Sequence, residues 1–231
     1  LVVAGTRERQ SDKQLGAGVA IYEGATAHLH DIRISDSRAV GLQVLGGGTH
    51  VELSAALIDG TEATVASGLS GHGVAVESGA VLAIQGARIH RNTWSGLYVR
   101  DAGSRLAAEQ MLVDETRFET LRHVAGYGLL AVAGADVAVT SSRFNGNRHS
   151  AVAATQPQTR LHLTNSLLDD TLCMPASLQG MTPEEIGAQP GSAGHGVVVA
   201  DGAFGRIVGC RVVANRDTGI KVWSGGDKHT H

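Results

Sequence analysis

Apolar and polar residues alternate in short runs along most of the chain, and Gly or another small residue closes each run. In Gly73-Val-Ala-Val-Glu-Ser-Gly79-Ala-Val-Leu-Ala-Ile the apolar residues take every second place, the period of a strand with one face buried. The runs also recur at a fixed distance. Thr6, Thr61, Thr116 and Thr171 stand 55 residues apart, and so do Arg33, Arg88 and Arg143, and Gly18, Gly73 and Gly128. Asp59, Asp114 and Asp169 each precede one of those threonines by two residues. From Gly128 to Gly196, and from Arg143 to Arg211, the distance is 68, so the fourth unit carries 13 extra residues. Self-similarity of this kind is the mark of stacked structural repeats.

Each 55-residue unit divides into a turn of 23 residues and a turn of 32. The turns start at Gly18, Gly41, Gly73, Gly96, Gly128, Ala151, Gly196 and Gly219, each followed by an alternating apolar pair, from Val19/Ile21 to Ile220/Val222. A later Gly or small residue begins two more short apolar stretches, which predicts three strands per turn of a solenoid. Asn92, Asn147 and Asn215 recur at one corner, where left-handed backbone and amide-on-amide stacking are expected. The longer turns carry their extra residues after Asp-x-Thr, so segments 62–72, 117–127 and 172–195 should leave the coil on one side. Segment 172–195 holds the insertion, and its Thr182-Pro183-Glu184-Glu185 predicts a short helix.

These runs, with Ile89-His-Arg-Asn92 and Gly96-Leu-Tyr-Val99, resemble the right-handed parallel β-helix repeats of the pectin-lyase-like superfamily over nearly the whole chain. The fold expected is all-β: a right-handed parallel β-helix of about eight coils, as one domain over residues 1–231. Handedness rests on the resemblance, not on the period. The chain begins at Leu1 with no visible signal peptide and has no capping helix at either end, so a segment of a longer, secreted, periplasmic or cell-surface bacterial protein is expected. The superfamily spans lyases, hydrolases, epimerases, tailspikes and non-catalytic surface proteins, so the resemblance narrows fold far more than activity.

Charge and composition remove several classes. Nineteen Lys and Arg against 22 Asp and Glu, without a basic run, argue against nucleic-acid binding. No apolar stretch approaches the roughly 20 residues of a membrane-spanning helix. Cys173 and Cys210 are too few for a disulfide framework and are expected as free thiols, Cys210 buried. Trp94 and Trp223 could stack on sugars, but an aromatic content of 3% argues against an extended ring platform.

Candidate chemistry lies on the outward positions of the third strand in each turn. One row reads Arg33, Leu57, Arg88, Leu112, Arg143, Leu167, Arg211, and the next reads Ser35, Asp59, His90, Asp114, Asn145, Asp169, Val213. As a ligand surface, the four arginines would bind carboxylates of an acidic polysaccharide. As structure, they would form a ladder of surface ion pairs, Arg88 with Asp59 or Asp114. The three leucines are expected to lie under the long loops. His90 between Asp59 and Asp114 forms a candidate acid–base set. Asp169-Asp170, Gly194-His195-Gly196 and Ile220-Lys221 are similar in order to the motifs of polygalacturonase-like glycosidases. Two features depart from that family: the upstream Asn-Thr-Asp element is missing, and Gly219 stands where the family has Arg. The leading expectation is a non-catalytic scaffold that binds polysaccharide and needs no cofactor or metal, with self-association through its side or ends. The alternative is a lyase, epimerase or glycosidase with its site beside the long loops.

Overall fold

The computed structural model describes residues 1–8, 16–65, 70–118, 125–172 and 194–224, which form 21 strands and no helix. The inserted segment, with its expected short helix and Cys173, lies outside the described residues. The first strands of successive coils are β2 (Ala17–Tyr22), β4 (Val40–Leu45), β6 (His72–Glu77), β9 (Ser95–Arg100), β12 (Tyr127–Val132), β15 (Ser150–Ala154), β18 (His195–Ala200) and β21 (Ile220–Trp223). They stack in that order into one eight-stranded parallel sheet. Val19, Leu42, Val74, Leu97, Leu129, Val152, Val197 and Ile220 share a column in it, so the alternation in the sequence fixes the register.

The other strands form a thirteen-stranded sheet that folds around the core. In the first two coils the second and third strands are continuous, as β3 (Thr26–Ser35) and β5 (His50–Asp59). From the third coil they separate, as β7 (Val81–Gln85) and β8 (Arg88–His90) do. The bend takes one left-handed residue per coil: Asp31, Ala55, Gly86, Gln110, Ser141, Asn165 and Gly209 all have φ between 48° and 65°. One apolar cluster fills the coil from Ile32 to Val199, and Phe144 is its largest fully buried side chain.

The asparagine corner needs a correction. Asn92, Asn147 and Asn215 are not left-handed; the residue before each is, namely Arg91, Gly146 and Ala214. The corner row reads Ser37, Thr61, Asn92, Thr116, Asn147, Thr171, Asn215, so an asparagine never stacks on another. Each amide bonds backbone instead. Asn147 Oδ1 accepts from the Thr116 N–H at 3.2 Å, and its Nδ2 donates to the Val113 carbonyl at 3.2 Å. The same contacts recur from Asn215 to Thr171 and Leu168. An inward amide here satisfies backbone groups that the turn would leave bare.

Glycine is required where coils meet at the start of a first strand. A Cβ on Gly73 would come within 2.7 Å of the Gly96 carbonyl oxygen, and one on Gly126 within 2.7 Å of Arg148 Cβ. Gly126 also has φ +93°. The Gly-x-Gly triplets around His72, Tyr127 and His195 are therefore packing devices before they are anything else.

Replacing Asn147 with Ala should strand the Thr116 N–H and the Val113 carbonyl in a site with no exposed surface. The expected loss is about 2–4 kcal/mol of unfolding free energy in urea titrations. A change within about 0.5 kcal/mol would show that the amide is not structural.

Candidate functional site

Both outward rows of the third strands stack in the register expected, Arg33–Leu57–Arg88–Leu112–Arg143–Leu167–Arg211 beside Ser35–Asp59–His90–Asp114–Asn145–Asp169–Val213. Arginine forks join the rows. Arg88 donates Nε and Nη2 to Asp114 at 3.2 and 2.7 Å, and Arg143 donates the same pair to Asp169 at 3.1 and 2.6 Å. Asp59 is taken by a residue outside the rows, Arg91, at 3.1 and 2.7 Å. The expectation that these aspartates face solvent is corrected: Asp59, Asp114 and Asp169 are only 6–8% exposed. A carboxylate that accepts a bidentate fork is covered by the guanidinium that holds it.

Leu57, Leu112 and Leu167 are half-buried and lie in register between the arginines, while much of the long loops expected over them lies outside the described residues. Cys210 is a half-buried free thiol, less enclosed than expected because it lies in the partly exposed last coils. Arg33 and Arg211 have no ion-pair partner among the described residues, although the Arg33 charge is felt at Asp59. Arg91 has no counterpart in the repeat: 55 residues on either side stand Asp36 and Gly146, so periodicity gives no sign of it.

His90 lies beside Asp114, Nδ1 to Oδ1 at 3.1 Å, while Arg88 Nη2 approaches the same ring nitrogen at 3.3 Å. Burial pushes the Asp59 carboxyl up, but the Arg91 fork, with the charges of His90 and Arg33, holds it below the usual carboxylate range. Asp59 is thus held as an ion, and both oxygens of Asp59 and of Asp114 are engaged by an arginine fork, which leaves neither carboxylate free to shuttle a proton. Donor atoms of His90, Asp114 and Glu115 lie within 4.8 Å of one another, yet a cation there would meet the Arg88 guanidinium.

The eight-stranded sheet presents a second row that counting aromatic residues misses. Its outer edge carries His72, then Trp94 and Tyr98, then Tyr127, His149, His195 and Lys221, one or two per coil. His72 stacks on Tyr98 with ring centres 4.5 Å apart and bonds Ser95 Oγ through Nδ1 at 2.8 Å. Tyr127 and His149 rings lie 4.3 Å apart, and His149 meets His195 edge to face at 6.4 Å. The signal lay in the alternation itself. The 23-residue turns enter as Gly-ring-Gly, at His72, Tyr127 and His195, and the longer turns that follow the first two enter as Trp94-Ser95 and His149-Ser150, so rings interdigitate where glycine leaves room.

Burial alone lowers His72 to about 3. His149 is lowered to about 3 by burial, then by His195 and Lys221. His195, 1% exposed, has Nδ1 3.2 Å from Asp217 Oδ2 without hydrogen-bond alignment, and Lys221 Nζ is 3.5 Å from its Nε2. The polygalacturonase-like set does not assemble. Asp169 is held by Arg143, Asp170 is exposed and accepts from Asn145 Nδ2 at 3.4 Å, and neither bonds to His195 among the described residues.

Residues 15–177 match a family described as a right handed beta helix region. The chain belongs to the right-handed β-helix family. No curated protein and no solved structure matches it. Two shallow clefts run along this β-helix on the outer face of the thirteen-stranded sheet. One, of about 450 Å³, lies on the second strands, with exposed Ala83, Ala107 and Ala138 as floor and Glu52, Gln85, Glu109 and Thr140 at its sides. The other, of about 640 Å³, lies past the bend between Gln110, Ser141 and Asn165 on one side and Arg88, Leu112, Arg143 and Leu167 on the other. No described helix of the β-helix chain is long and apolar enough to cross a membrane.

The buried histidines make stability depend on acid. Unfolded, His72 and His149 titrate near 6.5; folded, they stay neutral to about 3. Between those values the unfolded chain binds more protons, so stability is full above pH 6.5 and falls below it, by at most about 1.4 kcal/mol per pH unit for each histidine. Urea midpoints should drop between pH 7.5 and pH 4.5, a window above the Asp59 transition. His72→Gln with His149→Gln should flatten that slope, and an unchanged slope would assign it to other groups.

Proposed function

We propose that this β-helix is a non-catalytic, rigid scaffold of a secreted, periplasmic or cell-surface bacterial protein, and that it holds an extended polysaccharide along its thirteen-stranded sheet. The two clefts on either side of the bend, one floored by Ala83, Ala107 and Ala138 and the other beside the Arg and Leu row, carry this reading. They repeat from coil to coil, and a chain polymer lying along the axis meets equivalent groups about every 9.6 Å, two coils. Arg88 and Arg143 use Nε and Nη2 on aspartate, so Nη1 of each keeps donors for sugar hydroxyls or carboxylates. Because Asp114 and Asp169 already offset those two charges, acidic sugars would be met most strongly at Arg33 and Arg211. Those two stand six coils apart, about 29 Å. Association of copies through the side of the solenoid would cover the same face and compete with the polymer.

A glycan array followed by calorimetry tests the reading. Binding should weaken about tenfold in Arg88→Gln with Arg143→Gln, and should be lost in Ala107→Trp, which fills the cleft floor without touching the core. For acidic oligosaccharides, affinity should fall with salt and rise with length until Arg33 and Arg211 are both spanned. If no glycan binds, or if Ala107→Trp binds as wild type does, the reading fails.

A lyase, epimerase or glycosidase is the second reading, favoured by the buried, unaligned His195 Nδ1 beside Asp217 and Lys221. Its test is product formation from a bound polymer, abolished in His195→Ala.

A further inference from the structure

We infer that two copies of this chain associate side by side through the outer face of their second strands, about a two-fold axis parallel to the solenoid axes. The face is formed by β7, β10 (Arg105–Glu109), β13 (Asp136–Thr140), β16 (Arg160–Thr164) and β19 (Phe204–Val208), paired in parallel and in register. The first, third and fifth residues of each strand point outward, in three columns about 7 Å apart. On β10 these are Arg105, Ala107 and Glu109, all exposed. On β19 they are Phe204, Arg206 and Val208, exposed as well.

The pattern on this face complements itself. A two-fold axis along the middle column lays each coil on the same coil of the second copy and exchanges the two outer columns. Arg105 then meets the partner's Glu109, and Glu109 meets the partner's Arg105. Neither residue has an ion-pair partner within its own chain among the described residues, so both charges are open to a contact between copies. The same exchange sets Phe204 on the partner's Val208, two apolar side chains that are 56% and 46% exposed. An axis along the strands would instead set Arg105 on Arg105 and Glu109 on Glu109, so charge selects the first arrangement. Ala83, Ala107 and Ala138 keep the middle of the face low, and the longer side chains beside them can bridge two sheets about 10 Å apart.

The face measures about 17 Å by 19 Å, short of the roughly 800 Å² per partner of a standard interface, so the dimer is a weak one. The like charges that face each other, Glu52 and Arg206, lie at its two ends, where long side chains reach water. Association covers the alanine-floored cleft, where polymer would compete with the partner, and leaves the cleft beside Arg88 and Arg143 open. Polymer binding is not needed for the contact.

The test is sedimentation equilibrium of the full chain, with reductant present and no glycan added. At low salt the average mass should climb from 23.9 kDa toward twice that, and no further, as protein rises from about 5 to about 500 μM. Arg105→Glu makes both ends of β10 acidic and should raise the dissociation constant about tenfold or more, and Glu109→Arg should do the same. Mixed in equal amounts, these two variants should associate again, because each supplies the charges that the other lacks. The double swap, Arg105→Glu with Glu109→Arg, should dimerise as wild type does. Unchanged urea midpoints would show that these exposed substitutions leave the fold intact. A monomer at every concentration, growth past the dimer, single variants that associate as wild type does, or a mixture no tighter than either variant alone would overturn the inference.

Discussion

The backbone ladder between coils governs everything else in this molecule. Each coil pairs in parallel and in register with the coils on either side, so a given position stacks on its equivalents about 4.8 Å away. Like charges or large rings cannot repeat at that spacing without repulsion or collision. The chain answers by alternating. Arg alternates with Leu along one row, Asp with His or Asn along the next, Thr with Asn inside the corner, and ring with glycine or serine at the edge of the eight-stranded sheet. The two-coil, 55-residue unit is the shortest period that permits such alternation with two kinds of coil.

The same constraint explains why so much was legible. Inward columns such as Leu42, Val74 and Leu97 follow from period two, and the Arg and Asp rows follow from counting 55 residues, because stacking turns sequence spacing directly into position. What stayed hidden depends on side-chain direction between columns. Asp114 pairs with Arg88 along a diagonal, and the partner of Asp59 is Arg91, a left-handed corner residue outside the repeat. The buried state of these aspartates follows from the forks, not from strand phase. The asparagine corner was misplaced by one residue for a related reason: spacing locates a turn, but the hydrogen bonds of Asn147 to Thr116 and Val113 decide which residue points inward.

The ring row of the eight-stranded sheet shows where composition misleads. A low aromatic content says that platforms are rare, but stacking concentrates the few rings present on one edge. Glycine at Gly71 and Gly126 leaves room for the chain that enters the next coil at Thr93–Trp94 and Arg148–His149, so ring and glycine are one feature seen from two coils. Burial there lowers His72 and His149 to about 3 and pushes the Tyr127 hydroxyl up to about 12. These shifts keep His72, His149 and Tyr127 uncharged at neutral pH, as dense packing in a poorly hydrated edge requires.

A rigid periodic scaffold separates two kinds of surface. Residues that keep the period serve the stack, and they bind a ligand only as a repeated array, which suits a polymer and matches its spacing to the coil. Residues that break the period are not demanded by the repeat, since the places of His28, His30, His50 and Arg91 are held by Ala83, Gln85, Arg105 and Gly146 in coils that fold equally well. By that criterion Arg88 and Arg143 belong first to the stack, because each has an aspartate waiting one coil on. His28 and His30 meet Glu52 and Ser54 one coil on, but those pairs do not recur in later coils. Chemistry beyond the ladder is therefore to be sought where the repeat lapses, and on this chain those lapses fall in the first three coils and the last two.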